Sequence, residues 1–349
     1  MNLIFKMNRF WKDKNVLITG HTGFKGSWLS LMLKFFDAKV FGISLEPKNG
    51  IYELSSVSSI LDKEMFVDLS DFNLNIAKEL KEFNPEFVFH FAAQSLVIDG
   101  YKKPLETVRF NVNAPVNLIE NLHKSIDKTT LIVATTDKVY KNPSLRNIET
   151  DELGGYDFYS SSKVSKEMII EAYKKHPNYN NFHFNKVRSG NVIGGGERAE
   201  NRLFTDLINS NLNMKPIILR NPNHIRPWQY ILDSLYGYLL IAMNSYKNNT
   251  SETYNLNSEL NNNYTVKDIA ELFNKYSEFE QEVIIQKNIS FKEVDELRIN
   301  SSKAEKDLQW SAKIMMPEIV ENIIKWENFH KLSRTPDFSL SEIESFLSN

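Results

Sequence analysis

From residue 15 to about residue 190, short apolar and β-branched runs alternate with longer amphipathic segments. The runs "NVLITG", "KVFGISL", "FVDLS", "FVFHFAA" and "TLIVATT" have the composition of buried strands. Between them "GSWLSLMLKFF", "NIAKELKEF" and "VNLIENLHK" read as helices. This alternation predicts βαβ units and therefore a doubly wound parallel sheet. "SSSKVSKEMIIEAYKK" continues as a helix with Val164, Met168, Ile169 and Ala172 at helical spacing, and "FHFNKVRSGNVIGGG" is a further strand running into a glycine loop. After about residue 195 the alternation weakens and asparagine becomes frequent, while "YTVKDIAELFNKY" and "MPEIVENIIKWENF" read as surface helices. The expected division is a first domain over 1–190 with a return segment near 227–256, and a smaller C-terminal α/β substrate-binding lobe over 191–349. No internal repeat is visible, and the asparagine-rich "NSELNNNY" is expected to be a loop rather than a boundary.

Composition narrows the function classes. The chain has 349 residues, 42% of them apolar and 25% charged, which suits a folded soluble protein large enough for a core and a lobe. A formal net charge of −2 gives no bulk attraction to nucleic acid or to an anionic membrane, so neither is an expected partner. Cysteine is absent, which removes disulfides, thiolate nucleophiles and cysteine metal sites. The opening "MNLIFKMNRFWK" has its apolar run broken by Lys6 and Arg9, unlike a secretory signal. With no long apolar run elsewhere, a cytoplasmic protein is expected.

"ITGHTGFKG" places Gly20, Gly23 and Gly26 after the first strand and at the start of a helix, with Thr22 and Phe24 between them. In that context the glycines permit a tight turn, close approach to a pyrophosphate and helix–strand packing, the pattern of a Rossmann-type dinucleotide domain. At the end of the second strand stands Ser44, followed by Glu46 and by no arginine that could pair a 2′-phosphate, so NAD is expected rather than NADP. "YSSSK" sets Tyr159 and Lys163 on one helical face. A lysine ammonium beside a phenol favours the phenolate, a base able to take a hydroxyl proton.

With the glycine loop, a strand ending in Thr136 and the tyrosine–lysine pair in this order, the chain resembles the extended short-chain dehydrogenase/reductases that act on nucleotide sugars. Among these it is similar to the CDP-glucose 4,6-dehydratases, through "VFHFAAQSLV", "TTDKVY", "YSSSK", "RSGNVIGGG", "NRLFTDLI", "RNPNHIRPWQY" and "SSKAEKDLQW". The resemblance implies C4 oxidation, loss of water across C5 and C6, and return of the hydride to C6. It implies Asp137 as general acid at O6, Lys138 as base at C5 and Thr136 as the group that orients the C4 hydroxyl, where relatives acting on dTDP-glucose carry Asp-Glu. The acid and the amine would each act in the neutral form, which desolvation favours.

The resemblance further places Asp68, Leu69, Ala92 and Ala93 on the cofactor, with Asp68 at the adenine. A turn-capping aspartate reads equally well there. Asn191 would meet the diphosphate, and Arg202 and Arg226 are candidates for two-pronged phosphate contacts. Gln94 would touch ribose or sugar, or belong to a buried polar network. His21 and His90 lack metal-ligand spacing and read as loop and core residues. Two stretches depart from the family pattern near the substrate, Ile98–Tyr101 and Glu197–Arg198. A homodimer or dimer of dimers is implied, pairing through the helices after residues 104 and 159. The rival readings are a dehydratase for another nucleotide or sugar, a C4 epimerase, which gives no reason for Asp137–Lys138, and a silent NAD-binding sensor or scaffold.

Overall fold

The computed structural model describes residues 3–142, 146–286, 296–331 and 335–348. Seven parallel strands form its central sheet: β1 (Asn15–Thr19), β2 (Lys39–Ser44), β3 (Lys63–Phe66), β4 (Phe87–His90), β5 (Thr129–Ala134), β6 (Phe182–Ser189) and β7 (Thr253–Leu256). Their spatial order is β7-β6-β5-β4-β1-β2-β3. The chain therefore reverses its direction of travel between β1 and β4, and at such a switch point the loops after adjacent strands diverge and leave a crevice.

Helices cover both faces. On one face lie α1 (Leu3–Trp11), α2 (Phe24–Phe35) and the long α6 (Ile231–Asn248). They bury Trp11, Trp28 and Tyr238 in the larger core cluster. On the other face α3 (Ala114–His123) and α4 (Phe158–Lys175) contribute Leu118, Ile119 and Ile170 to a second cluster. Sheet residues that face opposite ways feed the two cores: Val16 and Ile18 go to the first, Leu17 to the second.

One strand differs from the sequence reading. The third strand is "KEMF" rather than "FVD", because parallel pairing runs from Phe41↔Lys63 to Ser44↔Phe66, and an edge strand tolerates the polar Lys63 and Glu64. The helix read from apolar spacing is α4, where Met168 and Ala172 are exposed and Val164 and Ile169 half-buried. The buried face carries Tyr159, Ser162, Lys163, Lys166 and Glu167 instead.

Beyond β6 the chain builds shorter pieces. Asn191–Ile193 pairs with Trp228–Tyr230, and Ile217–Leu219 with Val283–Ile285. α5 (Leu203–Leu212), α7 (Val266–Tyr276) and α8 (Met316–Lys331) pack around them, and α9 (Thr335–Ser348) closes the C-terminus. Ile319, Val320, Ile323 and Trp326 of α8 are fully buried, so this helix is an amphipathic wall with one wet face. Among the described residues no helix is long and apolar enough to cross a membrane.

Candidate active site

A cavity of about 450 Å³ opens at the C-terminal ends of β1, β4 and β5 and extends between them and α5. Its floor begins at the glycine loop. Gly20 has φ +76°, and a Cβ there would meet the Ala92 nitrogen at 2.6 Å. A Cβ on Gly26 would fall 2.2 Å from the Gly20 carbonyl oxygen. Neither position accommodates a side chain without moving backbone, so the loop is held tight against the start of α2. Gly23 caps that helix without a side-chain hydrogen bond, which leaves the first-turn N–H groups free for an anion.

The cavity brings together Gly20, Gly23, Phe24, Gly26, Ala93, Thr136, Asp137, Lys138, Tyr159, Lys163, Asn191, Arg202 and Arg226. Thr22, Ser44, Asp68, Leu69, Ala92 and Gln94 do not line it. Thr22 and Ser44 share a hydrogen bond of 2.7 Å at the end of β2. Asp68 accepts from the Ser70 amide and hydroxyl and from Arg109 at 3.0 Å, so both its oxygens are engaged within the protein. Leu69 is buried in the second core and its carbonyl accepts from Asn117. The Ala92 amide points to Thr19. Gln94 donates to the Leu96 carbonyl and to Thr107, closing its own loop.

At the end of β5 the chain makes a short turn in which the Thr136 hydroxyl donates to Asp137 Oδ1 at 2.9 Å. Asp137 is 2% exposed, and its other oxygen has no partner. Lys138 Nζ stands 3.5 Å from Asp137 Oδ1 and keeps 23% of its side chain exposed. Tyr159 enters from the first turn of α4, which Asp157 and Ser160 close as a capping box. Burial pushes its phenol up to about 12, opposed by a hydrogen bond with Thr136 and by the charge of Arg202. Lys163 Nζ lies 5.5 Å from the Tyr159 ring centroid. Its own amine is pushed well below the usual lysine range, by burial first and then by the neighbouring Lys166 and Lys25. The expected help from a charged lysine is therefore opposed in the protein itself.

On the other wall Asn191 receives its place from the backbone bond to Pro227. Arg202 donates to the Ser95 carbonyl at 3.2 Å, while its buried Nε has no partner. Arg226 is buried and bonds His224 Nδ1 at 2.7 Å. Both family-departing stretches reach the cavity, through Ile98, Tyr101 and Glu197. Arg198 instead makes a two-pronged ion pair with Glu327 of α8 and lies over Trp326.

Several lining residues escaped the sequence reading. Lys25 points from the glycine loop into the cavity, donates to Ser189 at 3.0 Å, and burial pushes its amine down to about 8. Arg220, His224 and Asp206 also line the cavity. Arg220 and His224 stand within "RNPNHIR", so that motif offered a signal. Lys25 offered none, because a lysine among glycines reads as a solvated charge.

The sequence matches the family described as GDP-mannose 4,6 dehydratase over residues 17–323. A CDP-glucose 4,6-dehydratase of Salmonella typhimurium is 34% identical over 329 residues, covering 91% of each chain. A dTDP-glucose 4,6-dehydratase of Haemophilus influenzae is 25% identical over 345 residues, covering 91% of this chain and 99% of its own. Among solved structures, a UDP-glucose 4-epimerase from Stenotrophomonas maltophila with bound NAD and formylated UDP-arabinopyranose aligns with TM-score 0.80. It is 17% identical and covers 92% of this chain and 99% of its own, a likeness of fold.

Proposed function

The chain belongs to the GDP-mannose 4,6-dehydratase family, and on that premise we propose that it is an NAD-dependent hydro-lyase converting CDP-glucose to CDP-4-keto-6-deoxyglucose. The observation that carries this reading is the Thr136–Asp137–Lys138 turn beside Tyr159 in one cavity. An oxidation that ended at C4, or an epimerisation, would use Tyr159 and leave the buried acid and its neighbouring amine without a task.

The glycine loop fits a dinucleotide, since side chains are excluded at Gly20 and Gly26 and the α2 N-terminus is uncapped by any side chain. Gly20, Thr22, Gly23, Phe24, Gly26, Ser44, Ala92 and Ala93 would hold it, with Asp68 and Leu69 at its adenine end. When bound, NAD supplies the acceptor for the C4 hydride and the donor of the same hydride to C6.

The chain's own residues do the remaining work. Tyr159 takes the proton of the C4 hydroxyl as that carbon is oxidised, and Lys163 supports the phenolate. The resulting 4-ketone acidifies C5, whose proton goes to Lys138 and is given back to C5 once the hydride has returned to C6. Asp137 gives a proton to the C6 hydroxyl, which leaves as water. Lys138 Nζ and Asp137 Oδ1 stand 3.5 Å apart, so the proposed base and acid meet the sugar side by side. Thr136, bonded to Asp137 and to Tyr159, keeps the two proton-handling groups in one network. Arg202, Arg226 and Asn191 face the diphosphate, and Gln94 fixes the loop that carries Ser95 and Leu96. The reaction is proposed to take place in the cytoplasm.

A second copy of the chain is the proposed partner. Tyr101, Leu105, Val108, Phe158 and Met168 are exposed apolar residues on α4 and on the two short helices Val97–Lys102 and Pro104–Val108 that pack beside it. Pairing of this face with itself would cover them.

The test is to incubate the protein with NAD and, separately, the glucose conjugates of CDP, dTDP, GDP and UDP, and to weigh the products. Loss of one water from the CDP sugar alone is expected. Water loss from a different conjugate would reassign the nucleotide. Lys138→Ala should still reduce the cofactor but fail to eliminate water, and a full rate of elimination by that variant would remove Lys138 from the role.

A further inference from the structure

Three residues beyond Lys163, and on the same inward face of α4, Lys166 is fully buried, with no hydrogen-bond acceptor at its amine. Lysines are almost never buried without a partner, because an ammonium group leaves water at high cost. The groups around it are themselves basic. Lys163 precedes it by one helical turn on the same buried face of α4, the charges of both lysines bear on His90 of β4, and the charge of Lys25 of α2 bears on Lys163. The adjacent carboxylate offsets this cluster only in part: the Glu167 charge favours the Lys166 ammonium, but Glu167 binds Arg188 of β6 at 2.6 Å and accepts from Thr135 at 2.8 Å. His90 is tied to Thr19 by Nδ1 at 2.7 Å, and its Nε2 is unpartnered.

Two ammonium groups in contact in a dry site cannot both hold their protons, whereas one ammonium donating to one neutral amine satisfies both. The geometry points to Lys166 as a positioning residue for the oxidation step: it competes with Lys163 for one shared proton and so governs how often Lys163 bears the charge that makes Tyr159 a base. Burial and the contact between the amines push Lys163 well below the lysine range, whereas Lys166 is pushed down to about 8. Lys166 touches neither the cavity nor the sugar, and acts through Lys163 alone.

The inference rests on the role proposed for Tyr159 and Lys163, and two substitutions should move it in opposite directions. Lys166→Met keeps the length and removes the competitor, so Lys163 regains its charge and Tyr159 ionises at lower pH. Lys166→Arg installs a cation that does not give up its proton, so Lys163 loses its share of the charge and Tyr159 ionises at higher pH. The measurement is the single-turnover rate of cofactor reduction with CDP-glucose against pH. Its acid limb is expected to move down by about one unit in Lys166→Met and up by about one in Lys166→Arg, the usual size of a like-charge effect between adjacent groups. A readout without turnover is the titration of lysine side-chain carbons by NMR in the free protein, where the Lys163 signal should titrate at higher pH in Lys166→Met. Limbs and titrations that stay at the wild-type position in folded variants, or that shift the same way in both, would overturn the proposal. If one variant does not fold, the other and its NMR titration decide. Should the wild type reduce no cofactor with any nucleotide sugar, the proposed reaction falls, while the NMR titration still decides the coupling of the two lysines.

Discussion

The two faces of α4 invert the ordinary rule of a helix packed on a sheet. Toward the sheet it turns Tyr159, Ser162, Lys163, Lys166 and Glu167, all buried. Away from the sheet it turns Phe158 and Met168, which are 49% and 65% exposed. α3, on the same side of the sheet, is conventional: its Leu118, Ile119 and Leu122 are buried. The difference between these neighbours is what each helix adjoins. α3 covers strand middles, where apolar packing suffices, while α4 passes the strand ends, where the cavity needs proton-handling groups held dry. The apolar side of α4 is left exposed, the face proposed for self-association.

Substitutions on the two faces should differ in kind. The largest effect is expected from Tyr159→Phe, which removes the group proposed to take the C4 proton. Cofactor reduction should slow by about 10²–10⁴-fold, the range for a positioned general base, while calorimetry shows nucleotide-sugar binding retained. Next comes Glu167→Gln, which leaves the buried Arg188 guanidinium without its anion. A loss of about 3–5 kcal/mol in urea unfolding is expected, as for a buried pair broken on one side.

The buried lysines give a smaller, pH-dependent effect. Lys25 and Lys166 are each held near 8 in the fold, below the 10.5 of free lysine. Between those values the unfolded chain binds more protons, so their contribution to stability grows as pH rises from about 8 to 10.5 and is constant below it. Lys166→Met should flatten this rise by up to about 1.4 kcal/mol per pH unit in denaturation measured across the window. An unchanged slope would mean that Lys166 titrates as a solvated lysine. On the outer face Met168→Gln should alter the stability of the single chain by no more than about 0.5 kcal/mol, as exposed substitutions do. Sedimentation would then show whether it weakens self-association, and an unaltered assembly would remove this face from the proposed pairing.

Much of the fold was legible because burial leaves a pattern. The runs at β1, β2, β4, β5 and β6 are apolar enough to mark themselves, and the glycines at 20, 23 and 26 mark the first turn. The third strand was misplaced by its polar Lys63 and Glu64, since an edge strand need not be apolar. On α4 the helix itself was legible, but not its buried polar face: apolar periodicity marks a helix without fixing which side meets the sheet. At the site, "TTDKVY" and "YSSSK" identified a turn and a helix that do meet in one cavity. Lys25 and Lys166 stayed hidden because a lysine in a sequence gives no sign of its burial. Neither the engagement of Asp68 with Arg109 nor that of Gln94 with Thr107 could be read from spacing, since each depends on elements brought together only by folding.

The most direct test of the central reading is the fate of a label. CDP-glucose deuterated at C4 is incubated with the protein and NAD, and the product is analysed by mass spectrometry and NMR. The account predicts a product lighter by one water, with a carbonyl at C4 and the deuterium on the C6 methyl group. Deuterium that remains on C4 with no loss of water would contradict it, and would leave Asp137 and Lys138 without the roles proposed for them.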